Sequence, residues 1–197
     1  MTEHGAPFVD DFLPRFDVQS RHSTVIGAPA AHVYRLTREL DISRSPIVRS
    51  LFRLRGLPAS ARTLDDLAKR RFLPLLEQPP AGFVLGLVGQ FWRPAGRLVD
   101  FDPTEFAAFQ PPGYAKAIWS FDVTPLPGSR SRLRTVTRVV CPDRKTRRSF
   151  KLYWAFVGPF SGLVRREILR SVKRACENGR SLDGAHTHTT ETEESGE

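Results

Sequence analysis

The stretch that most constrains this chain is Phe83 to Trp92, FVLGLVGQFW, which is apolar on both of the faces a strand would present. Side chains alternate along a strand, so two apolar faces require a place inside a sheet that is covered above and below. The rest of the chain must therefore supply a layer on each side. Gly86 and Gly89 withhold side chains from this run, which permits sharp curvature or the close approach of another group.

The neighbouring sequence supplies partners for that strand. Phe72 to Glu77 predicts a strand before it, turned by Gln78-Pro79-Pro80-Ala81-Gly82. Tyr114 to Thr124 alternates, with Ala115, Ala117, Trp119, Phe121 and Val123 on one face and Tyr114, Lys116, Ser120 and Asp122 on the other. After a turn at Pro125 to Ser129, Ser131 to Cys141 returns with Leu133, Thr135, Thr137, Val139 and Cys141 inward and Arg132, Arg134 and Arg138 outward. Leu98 to Phe101 reads as a short strand and Pro103 to Phe109 as a helical turn.

Upstream, Arg15 to Ile26 alternates as a first strand and stops at Gly27-Ala28-Pro29. Pro29 suits the start of a helix in which Ala30, Val33, Thr37 and Leu40 recur at helical spacing. Two more short helices are predicted at Pro46 to Leu54 and Thr63 to Arg70. Downstream, Asp143 can cap a helical segment that reaches Glu177. A straight helix of that length would measure about 50 Å against a body about 40 Å across, so a break is expected at Gly158-Pro159, where proline removes a hydrogen bond. Phe150, Tyr153, Trp154 and Val157 line one stripe of its first half. Val164, Ile168, Val172 and Ala175 line the second, with Arg166, Arg170, Lys173 and Arg174 behind.

A strand, short helices, a run of antiparallel strands and a long amphipathic helix make an α+β domain. Its expected limits are 15–179, preceded by a flexible lead over 1–14 and followed by an acidic, disordered tail over 180–197. The tail carries five acidic residues and no Lys or Arg after Ser181, which leaves 30 basic residues against 16 acidic ones in the rest of a chain whose net charge is +9. Twenty-five of the basic residues are arginine. No apolar run approaches the ~20 residues that span a bilayer, and the first fifteen residues lack the basic start and apolar stretch of a secretory signal, so a cytoplasmic location is expected. Cys141 and Cys176 cannot build a disulfide framework, and with the five histidines they form no zinc spacing; no metal and no cofactor is expected.

Three segments carry a resemblance: HSTVIGAPAAHVYRL at His22 to Leu36, AIWSFDVTPLPGSRSRLRTVTRVV at Ala117 to Val140, and LVRREILRSVKRACE at Leu163 to Glu177. In this order the chain resembles the START-like superfamily, whose helix-grip fold is shared by polyketide cyclase-like proteins, lipid-transfer domains and pollen-allergen relatives. LVGQFWRP at Leu87 to Pro94 and FKLYWAFVGPFSGLVRREIL at Phe150 to Leu169 look similar to bacterial members of unassigned function. The resemblance implies a curved antiparallel sheet wrapped around the long C-terminal helix, short helices after the first strand, and an apolar cavity between sheet and helix.

In such a cavity Leu85, Leu87 and Gly89 would lie on the central strand, Trp119 and Phe121 on its neighbour, and Tyr153, Trp154, Val164 and Ile168 on the helix, while Thr135 and Thr137 would orient a polar end. The implied function is to bind or carry a hydrophobic or amphipathic small molecule, lipid or polyketide-like, without turnover. A cyclase or hydratase acting on a polyketide-like substrate is the alternative; its catalytic candidate is His22, with Tyr34, Glu77, Gln90, Arg93 and Tyr114 as other proton-moving groups. No phosphate-binding glycine loop, nucleophile elbow or paired-carboxylate motif is present. A third reading is a module for anionic surfaces: Arg132, Arg134 and Arg138 with Arg144, Lys145, Arg147 and Arg148 could form one patch that attracts anionic headgroups. Nucleic acid is the poorer partner for it, since no recognition-helix or RNA-binding signature appears.

Overall fold

The computed structural model describes residues 8–39, 41, 72–93 and 96–186, with side chains to 178. The expected helices at 46–54 and 63–70 and the end of the tail lie outside these residues. Five strands form one antiparallel sheet, β1 (Val18–Ile26), β2 (Leu73–Gln78), β3 (Gly82–Gly89), β4 (Ala115–Leu126) and β5 (Arg130–Val140), in the order β1-β5-β4-β3-β2. Helices α1 (Val9–Phe12) and α2 (Ala30–Glu39) accompany it, and α3 (Arg144–His186) closes the chain. The architecture is thus α+β, a curved antiparallel sheet with a long C-terminal helix.

Every residue of β3 is buried, as two apolar faces require. On one face Phe83 and Leu85 join Phe121, Leu133, Val164, Ile168 and Val172 beneath α2 and α3. On the other, Val84 and Val88 join Ile118 and Val136 beneath Val9, Leu13 and Phe106. Lys116 fastens this second cover: its Nζ donates to the carbonyls of Phe106 and Ala107 at 2.7 and 2.9 Å and lies over the Phe106 ring. The expected strand at Leu98 to Phe101 shrinks to one bridge, between Gly89 and Leu98.

Four expectations need correction. Residues 8–14, assigned to a flexible lead, form a helical turn that plugs the far face of the sheet, with Val9 and Leu13 buried. Arg138 therefore does not point into solvent. It is buried under this turn, donates to Asp10 Oδ1 at 2.6 Å, Leu13 O at 2.8 Å and Gln19 Oε1 at 2.8 Å, and stacks under the Phe16 ring.

The C-terminal helix does not break at Gly158-Pro159; it runs 43 residues with Pro159 inside it, and its backbone continues to His186 into the expected tail. Both halves are held by the same sheet. Phe150 packs with Leu87, Val139 and Cys141, and Val164, Ile168 and Val172 pack with Phe121 and Leu133. Burial of about 1.5–3 kcal/mol for each such side chain outweighs the ~3 kcal/mol that an interior proline costs. Pro159 and Ala155, whose carbonyl loses its donor, both lie on the exposed side, where water can serve that carbonyl. Finally, Gly89, expected to line a cavity, does not: a Cβ on it would meet Arg97 O at 2.8 Å, and one on Gly86 would meet the Leu75 side chain at 2.8 Å, the close approach expected of both glycines. Gly89 permits close approach of a neighbouring segment instead of opening a cavity.

Candidate functional site

Strand register brings most of the expected lining residues together. Three adjacent rows cross the sheet on its helix-facing side: Phe83, Phe121, Thr135 and His22; Leu85, Trp119, Thr137 and Ser20; Leu87, Ala117, Val139 and Val18. Leu85, Trp119, Phe121, Val164 and Ile168 share one core cluster. Leu87 belongs to the next, against which Tyr153 and Trp154 pack. Gly158 makes room for Trp154, whose indole Nε1 lies 2.9 Å from where a Cβ would be.

The two threonines have different tasks. Thr135 accepts from Trp119 Nε1 at 2.7 Å and donates to Ser120 O at 2.9 Å, so its hydroxyl is used in holding the indole. Thr137 accepts from Arg165 Nε at 2.9 Å and Nη2 at 2.6 Å, and keeps its own O–H to donate. Arg165 also donates through Nη1 to Ser161 O at 2.8 Å and to Ser161 Oγ. Its guanidinium lies 5.5 Å from the Trp119 ring centroid. A cationic fork is thus buried in the apolar interface between sheet and helix. In sequence Arg165 is one of many arginines in this helix, and its one distinguishing signal is its place on the stripe of Val164, Ile168 and Val172.

His22 stands at the β1 edge of this group. Its Nε2 is 3.2 Å from Ser20 Oγ, and the ring faces Gly162 of α3. Burial, reinforced by the positive charges of Arg165 and Arg166, lowers its pKa and so disfavours its cation. The other proton-moving candidates are scattered. Tyr34 donates to Glu77 Oε1 at 2.9 Å, where Arg38 also pairs at 3.4 Å; this clamp ties α2 to β2, at the sheet edge opposite β1. Gln90 donates to Gly113 O and braces a loop, Tyr114 packs on the far face, and Arg93 is exposed.

Three of the seven residues of the expected basic patch are paired or buried, while Arg132, Arg144, Lys145 and Arg148 remain exposed. Arg138 is buried, Arg134 Nε pairs with Asp122 Oδ2 at 3.5 Å, and Arg147 Nε with Asp17 Oδ1 at 2.7 Å. Two depressions lie off the helix-facing side, one of about 290 Å³ beside Phe12, Lys116 and Val140 and one of about 530 Å³ around Phe109 and Gln110. Among the described residues no cluster of His, Cys, Asp or Glu could hold a metal ion, and no described helix is long and apolar enough to cross a membrane.

No protein-family profile and no curated protein matches the chain. Solved structures do. A conserved protein of Geobacillus kaustophilus is similar over 82% of this chain and 96% of its own, at 12% identity and a TM-score of 0.41. A hypothetical protein of Helicobacter pylori is similar over 85% and 93%, at 11% identity and a TM-score of 0.42. The Zhui aromatase/cyclase of Streptomyces sp. R1128 is similar over 80% and 94%, at 13% identity and a TM-score of 0.27. The first strand paired to the last and the terminal helix laid across one face of the sheet make this chain a helix-grip fold.

Proposed function

We propose that the protein binds a hydrophobic or amphipathic small molecule, lipid or polyketide-like, between the helix-facing side of the sheet and α3, and carries it without chemical change. The observation that carries this reading is a difference in burial along one interface. Leu87, Trp119, Thr137 and Arg165 keep 7–8% of their surface accessible, while Phe121, Leu133 and Val172 to one side and Phe150, Val139 and Cys141 to the other keep 2% or less. Accessible surface thus remains where Arg165 and Thr137 meet Trp119, and more of it toward Tyr153 and Trp154, which are half-buried. A guest that hides about 300 Å² of apolar surface gains about 7.5 kcal/mol gross, close to the ~8 kcal/mol of micromolar binding. The guanidinium and the Thr137 hydroxyl then orient a carboxylate or carbonyl end more than they supply affinity.

The test is native mass spectrometry and thermal-shift screening across lipids, polyketides and aromatic acids, on the wild type and on Ala117→Phe, which fills the middle row. A bound mass that Ala117→Phe excludes supports the proposal. A fully occupied interior that never takes up a ligand sinks it.

Catalysis is the second reading, favoured by one observation: the His22 ring stands at the rim of the same group, facing Gly162 beside Ser20, where burial and the charges of Arg165 and Arg166 lower its pKa. A cyclase or hydratase would use it as a base beside a cation that stabilises an enolate. His22→Ala should then abolish turnover of a polyketide-like substrate that still binds, whereas binding without turnover in both proteins removes this reading.

A further inference from the structure

We propose that the outer face of α3 docks the protein on an anionic lipid surface, with four apolar side chains entering the headgroup layer and a set of cations around them. Leu152, Phe156, Phe160 and Leu163 are 66%, 70%, 45% and 48% exposed. At about 100° per residue they share an arc of about 80°, spread along about 17 Å of helix axis. The middle of the arc lies about 120° around the helix from the mean direction of Phe150, Val164, Ile168 and Val172, which are buried against the sheet. A helix packed on one side ordinarily turns polar residues outward. Here the outward side presents a contiguous line of large apolar groups, the feature that marks an interaction surface.

Charge selects the partner. Residues 144–166 contain seven Lys or Arg and no Asp or Glu. Arg165 is buried and Arg147 pairs with Asp17, while Arg144, Lys145, Arg148, Lys151 and Arg166 are exposed. Acidic groups return only past the apolar line, where Glu167 pairs with Arg170 and Arg174. An amphipathic helix that lies in a membrane interface combines these two features, an apolar edge to bury and cations to meet phosphate. A second copy of the chain would set these five cations against the same five, which repels. A nucleic acid would meet the arginines and leave the phenyl rings in water.

Because the apolar side chains are exposed, substitutions there leave the core intact. The experiment is sedimentation with vesicles of phosphatidylcholine alone and of phosphatidylcholine mixed with phosphatidylglycerol, at low and high salt. Wild type should sediment with the mixed vesicles, release as salt rises, and bind phosphatidylcholine poorly. Phe156→Glu and the pair Arg148→Glu with Lys151→Glu should each weaken binding by about tenfold or more, with unchanged melting temperatures. Failure to sediment with the mixed vesicles, or binding that Phe156→Glu does not alter, overturns the proposal. So does a concentration-dependent dimer that Phe156→Glu dissolves, which would assign the face to a second copy. No cavity ligand takes part, so this result stands apart from the binding reading.

Discussion

Arg165 on the C-terminal helix donates twice to the single hydroxyl oxygen of Thr137 on β5, at 2.9 and 2.6 Å. Both residues are buried, and the pair joins helix to sheet. Hydrogen bonds to a charged group contribute about 1.5–3 kcal/mol, and a buried donor left without its acceptor costs a comparable amount. Thr137→Val is expected to destabilise by about 2 kcal/mol. The double variant with Arg165→Met should lose clearly less than the sum of the two single losses. Urea unfolding of all four proteins in a double-mutant cycle measures this.

Asp10 is half exposed and its partner Arg138 is buried. Replacing Asp10 by Ala leaves the guanidinium with Leu13 O and Gln19, so the expected loss is about 1–2 kcal/mol, between an exposed and a fully buried pair. Removal of residues 1–14 should do more, since it uncovers the far-face cluster that Val9 and Leu13 complete. A truncated protein as stable as the full chain in urea would show that the turn is dispensable.

His22 has a folded pKa below its ordinary 6.5 because burial and the two arginines disfavour its cation. The unfolded chain then binds the proton more readily. The stability contributed by the neutral ring is present above the unfolded pKa and is lost as pH falls through 6.5 toward the folded value. His22→Gln should flatten this part of the stability profile, as measured by urea midpoints between neutral and mildly acidic pH. An identical slope in wild type and variant would contradict it.

Asp122 shows the opposite sign. Burial raises its pKa, only partly offset by Arg134, Ser120 and Arg21, and its Oδ1 has no hydrogen-bond partner. The folded protein holds this proton more tightly, so its ionisation costs stability as pH rises from 3.8 through the raised value. Asp122→Asn should therefore gain melting temperature relative to wild type as pH increases over that range. A constant difference between the two proteins would show that the carboxylate does not titrate in this way.

Pro159 lies inside a continuous helix. Pro159→Ala restores a donor for the Ala155 carbonyl and relieves the ring clash, and is expected to stabilise by about 1–3 kcal/mol. Equilibrium unfolding followed by circular dichroism decides this, since a true helix break at this point would give no gain.

The α+β class and the pairing of β4 with β5 were legible in the chain itself, because alternation at Ala117, Trp119, Phe121 and Val123 and at Leu133, Thr135, Thr137 and Val139 is a local property with a period of two. So was the interior, doubly covered place of β3, though the order of the sheet makes β4 its middle strand, since a strand with Leu85 and Val88 on opposite faces needs cover on both. Register then set Trp119 beside Thr137 as the same alternation implied.

What local pattern could not decide was which charges are buried and which apolar groups are left outside. Arg138 and Arg165 look like any other arginine in a row of them, and only the approach of the Val9 turn and of the helix removes them from water. Pro159 reads as a break in a solitary helix, and the packing of both halves on one sheet overrides it. Leu152 and Phe156 read as ordinary helix residues, and their exposure follows from the other side of that helix being committed to the sheet. These are relations between segments far apart in the chain, set by burial energies that no single segment carries.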